Sequence, residues 1–191
     1  MSLTTSDLLS LHLQPASAGR RASAVRAAMF GDSIWVRGTD PVSPEPRPWP
    51  EHAKSGDDVL LHVEPTDAGR SAYATWLLQT GSTLPAGVAV SAWSTEAAGL
   101  HRLWCLAAAR IALPSGVRVE VRHDLVGIRL AQIALGFGVD TFAGPLQGDR
   151  KLPLAGVTRP DEATREGIAT LVRAAGLCPV FEPQPVKRVA S

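Results

Sequence analysis

Two groups of polar residues near predicted strand ends have the side chains needed for binding or acid–base chemistry. His62 and Glu64 lie two positions apart on a predicted strand, so they share one face near its carboxyl end. In parallel α/β proteins, that end of the strands carries the functional site. An imidazole exchanges a proton near neutral pH, and a neighbouring carboxylate fixes its tautomer or raises its pKa. The pair predicts a binding or acid–base site, although a strand-end pair that only bonds a nearby loop explains the same pattern.

The second polar group follows another predicted strand and contains Glu120, Arg122, His123 and Asp124. Arg122 is a candidate clamp for a carboxylate or phosphate, because a guanidinium binds such groups through two parallel hydrogen bonds. An internal ion network of Glu120, Arg122 and Asp140 is the alternative interpretation. Asp124 also suits the N-terminal cap of the helix that follows.

Together these patterns predict a polar-ligand site formed by His62, Glu64, Trp93, Glu120, Arg122, His123 and Asp140. His62 and Glu64 are its catalytic candidates. A metal site of His62, Glu64, Glu120 and His123 would have suitable ligand types, but no close pair such as H-x-x-x-H accompanies them, so we predict no metal. The chain has no G-x-S-x-G elbow, P-loop or correctly placed G-x-G-x-x-G pattern, so we predict no cofactor.

The elements that must position these residues alternate along the chain. Strands followed by helices of this length predict right-handed βαβ units and a parallel sheet. The predicted strands are 33–37, 59–64, 88–93, 117–122 and 139–143, and the predicted helices between and after them are 67–80, 95–112, 124–136 and 158–175.

The strands also indicate which kind of α/β sheet forms. Val117, Val119 and Val121 alternate with charged residues, and the strand over 59–64 alternates similarly. One apolar and one polar face disagree with a doubly wound sheet, which buries both faces. We therefore predict a partial (β/α) barrel-like parallel sheet of about five strands, with outer helices and a polar interior. An open sheet with one solvent-facing side is the alternative.

The first part of the chain is organised differently. Two helices are predicted over 4–13 and 20–29, with Pro15 and Gly19 breaking the chain between them. The stretch 40–56 begins with five prolines in eleven residues, which predicts a stiff connector without helix or strand. Trp49 within it is the expected anchor for a partner. The predicted organisation is a single domain with segments 1–39, 40–56 and 57–182 and a tail at 183–191.

Composition limits the classes of partner. The net charge is +1, and the basic residues never form a block, so we expect neither nucleic-acid nor membrane binding. No apolar run approaches the roughly 20 residues of a membrane span, and no secretion signal is recognisable, so we expect a cytoplasmic protein. Cys105 and Cys178 are expected to be packing residues in a reducing compartment rather than a disulfide.

Five ordered segments resemble a known family. RVEVRHDLVGIRLAQIALGFGVDTFAGPL at 118–146 resembles a late strand–helix–strand unit of the radical SAM enzymes that make and cyclise aminofutalosine compounds in menaquinone biosynthesis, and of the related deazaflavin (FO) synthases. AARIALP (108–114) resembles the segment that precedes this unit, and TRPDEATREGIATLVRAAGLCPVFE (158–182) resembles the closing helix of the same enzymes. RASAVRAAMFGDSIWVRGTD (21–40) and GDDVLLHVEP (56–65) resemble the segments that flank their cluster loop.

The sequence differs from this family at the residues that bind the iron–sulfur cluster. The resemblance implies a C-x-x-x-C-x-x-C loop after Thr39 that holds a [4Fe–4S] cluster, but the proline-rich stretch stands there without a cysteine. The whole sequence has two cysteines, so three thiolates cannot assemble and radical generation is excluded. The family's final pair of aspartates reads Asp140-Thr141 here. We therefore expect a non-catalytic subunit or small-molecule-binding paralogue. We expect it to form a homodimer or to pair with a full-length relative, because an incomplete barrel leaves free strand edges; the strands near Trp35 and Ala143 are the predicted edges.

Two alternatives to this expectation stay open. One is a small non-radical enzyme that uses His62 and Glu64 in the retained pocket, which loss of activity in His62→Ala would favour. The other is an α/β domain unrelated to the family.

Overall fold

A computed structural model describes residues 3–96, 98–146 and 163–182. The described strands are β1 (Ser33–Gly38), β2 (Asp58–His62), β3 (Ala89–Trp93), β4 (Arg118–Arg122), β5 (Thr141–Gly144) and β6 (Cys178–Phe181). The described helices are α1 (Thr5–Ser10), α2 (Pro15–Phe30), α3 (Asp67–Gln79), α4 (Gly99–Ala112), α5 (His123–Val126), α6 (Ile128–Ala134) and α7 (Arg165–Ala174).

The six strands form one all-parallel sheet in the order β2-β3-β4-β5-β1-β6. The prediction of an α/β fold with a parallel, partial barrel-like sheet and outer helices is confirmed. The described sheet does not close into a barrel, and it has six strands instead of about five. Sequence reasoning missed β6 because it has four residues and contains Pro179, which argues against a strand.

The two faces of the sheet differ as the alternation predicts. Val36, Val121 and Phe142 lie side by side on one face and are at most 1% exposed. The helices pack against this face, α4 on β3 and β4 and α7 on β1 and β6. The apolar strand residues predicted to face helices are all buried in the core: Val59, Leu61, Val63, Val117, Val119 and Val121.

The opposite, polar face is strongly concave. Strands β1 and β2 are separated by three other strands, which in a flat sheet places them about 19 Å apart. Arg37 on β1 nevertheless forms an ion pair with Asp58 on β2, at 2.8 Å between Nη2 and Oδ1. An arginine and an aspartate side chain cannot span a flat sheet of that width. The sheet therefore curls around its polar face, so that residues from distant strands meet inside it.

Several predicted helix boundaries are wrong for identifiable reasons. Pro15 and Gly19 do not break the chain: Pro15 begins α2, where its missing N–H costs nothing, and Gly19 lies within the helix. A Cβ at Gly19 would approach the carbonyl oxygen of Gly136 to 3.0 Å, so glycine permits close packing there. The single helix predicted over 124–136 is divided at Gly127, whose φ is 82°.

The closing helix begins later than predicted. Thr164 caps α7 by accepting a hydrogen bond from the N–H of Gly167. The predicted start at Thr158, with its capping box to Asp161, lies outside the described residues, as does the predicted tail at 183–191.

The sheet edges are also not where the homodimer prediction placed them. The strands near Trp35 and Ala143 were expected to be edges, but β1 and β5 each have strand neighbours on both sides. Among the described strands, β2 and β6 are the edges. The N–H of Cys178 donates to the carbonyl of Asp32, just before β1, and the N–H of Glu182, just after β6, donates to the carbonyl of Val36. The intervening Pro179 nitrogen therefore points outward, where proline removes a donor from the free edge. A second copy therefore cannot pair with the sheet through β1 or β5.

None of the described helices is both long and apolar enough to cross a membrane.

Candidate functional site

The concave polar face contains a cavity of about 150 Å³. Strands β2, β3 and β4 form its floor, and the proline-rich segment after β1 forms its cover. The lining residues are Val42, Arg47, Asp58, Val59, Leu60, Ser91, Glu120 and Arg122. Because side chains from one face of three neighbouring strands converge there, the curvature of the sheet creates the cavity.

A three-residue ion cluster lies beside the cavity. Nη2 of Arg37 lies 2.5 Å from Oε2 of Glu120 and 2.8 Å from Oδ1 of Asp58, so one nitrogen serves two carboxylates. The other oxygen of Glu120 lies 3.2 Å from the Ser91 hydroxyl, which can donate to it. Burial raises the pKa of Glu120 against the opposing effect of Arg37. Burial also opposes the charge on Arg37, but the two carboxylates outweigh it and raise the pKa of that guanidinium.

Arg122 connects the floor of the cavity to its cover. Its Nε and Nη2 atoms donate to the two carboxylate oxygens of Asp124, at 3.2 and 2.9 Å. Nη2 also donates to the backbone carbonyl of Asp40, at 2.8 Å. Asp124 in turn accepts a hydrogen bond from the N–H of Val42. Asp124 therefore holds the start of the proline-rich segment in place and is not the helix cap that the sequence suggests.

The far end of the proline-rich segment is held by aromatic residues. The indole N–H of Trp49 donates to the carbonyl of His62 at 2.9 Å, and its ring makes edge-on contacts with Tyr73 and Trp76. Trp76 donates to the carbonyl of Pro50. The prediction that Trp49 is an exposed partner anchor is therefore corrected, since its ring fastens the cover to the body of the protein.

The structure separates the predicted site residues into distinct places. Glu120 and Arg122 line the cavity, whereas His62, Glu64 and Trp93 do not. His62 contacts the Trp93 ring at 4.8 Å between centroids, and its Nε2 lies 3.3 Å from the Thr95 hydroxyl. Glu64 is exposed and lies past the end of β2, with no hydrogen bond to His62 within the described ranges. The geometry thus does not assemble the acid–base pair suggested by the sequence.

His123 is buried on the helix-facing side of the sheet. Its imidazole is 1% exposed and is bonded to the backbone of Pro145, while its Nε2 has no hydrogen-bond partner. Burial is the main reason that its pKa falls to about 4, and nearby Arg122 adds to the effect. Gly144 leaves room for the ring, because a Cβ there would lie 2.4 Å from Nε2. His123 is therefore a neutral core residue.

Asp140 lies in the core, where it pairs with a residue that was not predicted to be functional. Arg110 donates to its Oδ2 at 3.0 Å, and both side chains are fully buried. The N–H of Val119 and the hydroxyl of Thr141 also donate to Asp140. Glu120, Arg122 and Asp140 thus belong to three separate ion pairs and not to one network. Arg110 and Asp140 both lie in segments quoted for the family resemblance, and their observed role is structural.

Sequence reasoning identified only two of the eight lining residues, Glu120 and Arg122. Asp58 and Ser91 are single polar residues at inward positions of β2 and β3. The alternation places Asp58 on the polar face, but it lies at the amino end of β2, and the candidate residues were chosen near the carboxyl end. Val42 and Arg47 come from a segment without regular structure, whose path over the sheet no sequence pattern predicts.

Metal ligands and cysteines give no further candidate site. In the described part of the chain, no three His, Cys, Asp or Glu side chains are arranged to hold a metal ion. Cys105 is buried and Cys178 is exposed, and both are free thiols.

Comparison with models of known protein families gives no match, and no curated protein matches the sequence significantly.

Proposed function

We propose that this protein binds a small polar molecule in the covered cavity on the concave face of its sheet, without catalysing radical chemistry. One observation carries the proposal: charged side chains from separate strands converge on a cavity that a tethered segment covers. Burying charge is costly, and ligand pockets characteristically combine apolar lining with a few polar groups that converge on the ligand. Of the two roles expected from the sequence, subunit and ligand-binding paralogue, this observation supports the second.

The size of the cavity limits the ligand. Pockets for drug-sized molecules usually occupy about 300–1,000 Å³, which is larger than the 150 Å³ found here. A cavity of this volume holds a molecule on the scale of benzene, with roughly six non-hydrogen atoms. We therefore infer a metabolite-sized ligand and not a nucleotide or a peptide.

We also propose that the chain descends from the futalosine-type radical SAM enzymes. The proline-rich segment lies between 21–40 and 56–65, the two segments that resemble the flanks of the cluster loop in those enzymes. That segment supplies Val42 and Arg47 to the cavity wall. Replacement of a cluster-binding loop by a stiff cover is a simple route from a radical enzyme to a binding protein.

A ligand-observed NMR screen tests the proposed function. Saturation-transfer spectra are recorded for polar compounds of roughly five to eight non-hydrogen atoms, a range set by the cavity volume. Leu60→Trp places an indole in the cavity, and Leu100→Trp is the matched control because Leu100 is 63% exposed on α4. Circular dichroism verifies that both variants fold.

The expected result is that at least one compound binds the wild-type protein and Leu100→Trp equally. Its affinity for Leu60→Trp falls at least about tenfold, which corresponds to about 1.4 kcal/mol. The absence of any binding compound contradicts the proposal, and so does binding that survives unchanged in a folded Leu60→Trp.

A further inference from the structure

Resting on the proposed function, we infer that the ligand is a small zwitterion, with an ammonium group that faces Asp58 and Glu120 and a carboxylate that faces Arg47. The inference concerns the chemical class of the ligand. It follows from how the charges around the cavity are paired.

One part of the cavity wall has excess negative charge. Asp58 and Glu120 share a single cation, and they share it through one nitrogen of Arg37. With both carboxylates ionised, the three side chains carry a net charge of −1. The Glu120 side chain is 2% exposed, so water screens its charge poorly, whereas the Asp58 side chain is 50% exposed and presents its charge at the mouth of the cavity. An ammonium group placed in the cavity would supply the second cation and hydrogen-bond donors for the carboxylate lone pairs that remain.

Another part of the wall has an unpaired positive charge. Arg122 is neutralised by its two hydrogen bonds to Asp124. Arg47 also lines the cavity; it is an exposed residue whose guanidinium is hydrated, and it forms no ion pair or hydrogen bond with any residue of the described segments. A guanidinium without a carboxylate partner at a binding cavity is suited to recognise the carboxylate of a ligand.

The remaining lining favours a short ligand with both groups. Val42, Val59 and Leu60 supply the apolar part of the lining. At about 150 Å³, the cavity admits an amino acid with few carbon atoms. A simple anion leaves the Asp58–Glu120 charge uncompensated, and a simple cation leaves Arg47 unpaired.

Isothermal titration with a panel of defined probes tests the inference. Glycine, β-alanine and γ-aminobutyrate place the two charged groups progressively further apart. Propionate, propylamine and propionamide provide the anion, the cation and the neutral polar molecule alone. We expect one zwitterion to bind at least about tenfold more tightly than each of the three single-group probes.

A charge-removing variant and its control locate the carboxylate site. In Arg47→Gln, the preferred zwitterion should bind no more tightly than propylamine binds. Arg20→Gln removes an exposed charge from α2, on the helix side of the sheet, and should leave binding unchanged. An unaltered affinity in Arg47→Gln overturns the assignment of Arg47.

The outcomes separate the inference from the proposed function. Equal binding of propionate or propylamine overturns the zwitterion inference while the proposed function stands. If other compounds of the polar screen bind and the three zwitterions do not, the zwitterion inference is likewise wrong and the proposed function stands. If no compound of either set binds, both the inference and the proposed function are wrong.

Discussion

The substitution His123→Asn should change how the stability of this protein depends on pH. The imidazole is 1% exposed and donates a hydrogen bond to the Pro145 carbonyl, which fixes the proton on Nδ1 because Nε2 has no partner. Protonation would place a second proton on the buried Nε2 atom, where no acceptor stabilises it. Asparagine retains an N–H donor near the position of Nδ1 but does not titrate.

The size of the effect follows from the two pKa values of His123. The unfolded value is about 6.5, and burial lowers the folded value to about 4. Between these values the unfolded chain binds more protons than the folded protein does, so the folded state loses stability as the pH falls. The contribution of the neutral imidazole is fully present above pH 6.5. By pH 4 about 3 kcal/mol is lost, at about 1.4 kcal/mol for each unit of pKa difference.

Urea unfolding of wild type and His123→Asn at pH 7.5 and pH 4 measures this contribution. Glu120 and Asp140, whose pKa values are raised by burial, titrate equally in both proteins and cancel in the difference. We expect the free energy of unfolding of wild type to decrease, relative to the variant, by about 3 kcal/mol between the two pH values. If the free energy of unfolding of wild type stays constant or rises relative to that of His123→Asn as the pH falls, His123 is not held neutral by burial.

Two further substitutions test the packing that shapes the sheet. Asp140→Ala leaves Arg110 as an uncompensated buried charge and should lower the free energy of unfolding by about 3–5 kcal/mol. The double variant Arg110→Met/Asp140→Asn removes both charges but keeps an acceptor for the Val119 N–H, so it should recover much of that loss. Chemical denaturation in which the double variant is no more stable than Asp140→Ala would contradict this reasoning. Gly138→Ala and Gly176→Ala both place a side chain at a similar positive φ, 82° and 75°. Only at Gly138 would the new Cβ collide with a neighbour, Ala22 at 2.7 Å. Thermal melts should therefore show Gly138→Ala destabilised by roughly 1–3 kcal/mol more than Gly176→Ala, and equal losses would count against the close approach.

The sequence predicts the sheet well because hydrophobic alternation responds directly to burial. The five predicted strands correspond to β1 to β5 within two residues at each end. The alternation at Val117, Val119 and Val121 also identifies the helix-facing side, and the opposite positions Glu120 and Arg122 line the cavity. Local periodicity therefore gave both the elements and the direction of these two side chains.

The candidate site was harder to predict because it depends on strand order and curvature. No sequence pattern shows that Arg37 on β1 reaches Asp58 on β2 across a curled sheet. The prediction of a functional site from residues at the carboxyl end of a strand was also misleading for β2, because His62 packs on Trp93 and Glu64 is exposed. A titratable residue at the end of a strand is equally consistent with a core ion pair, as Asp140 demonstrates.

The central claim, that the concave face binds a small polar molecule, is tested most directly by mapping a bound ligand onto the protein. Two-dimensional amide NMR spectra of the isotope-labelled protein are recorded during titration with the tightest compound of the screen. We predict that the largest shifts occur at Leu60, Ser91, Glu120 and Arg122 and at the covering residues Val42 and Arg47. Saturable shifts confined to another part of the protein, or no saturable shifts with any compound, would contradict the account.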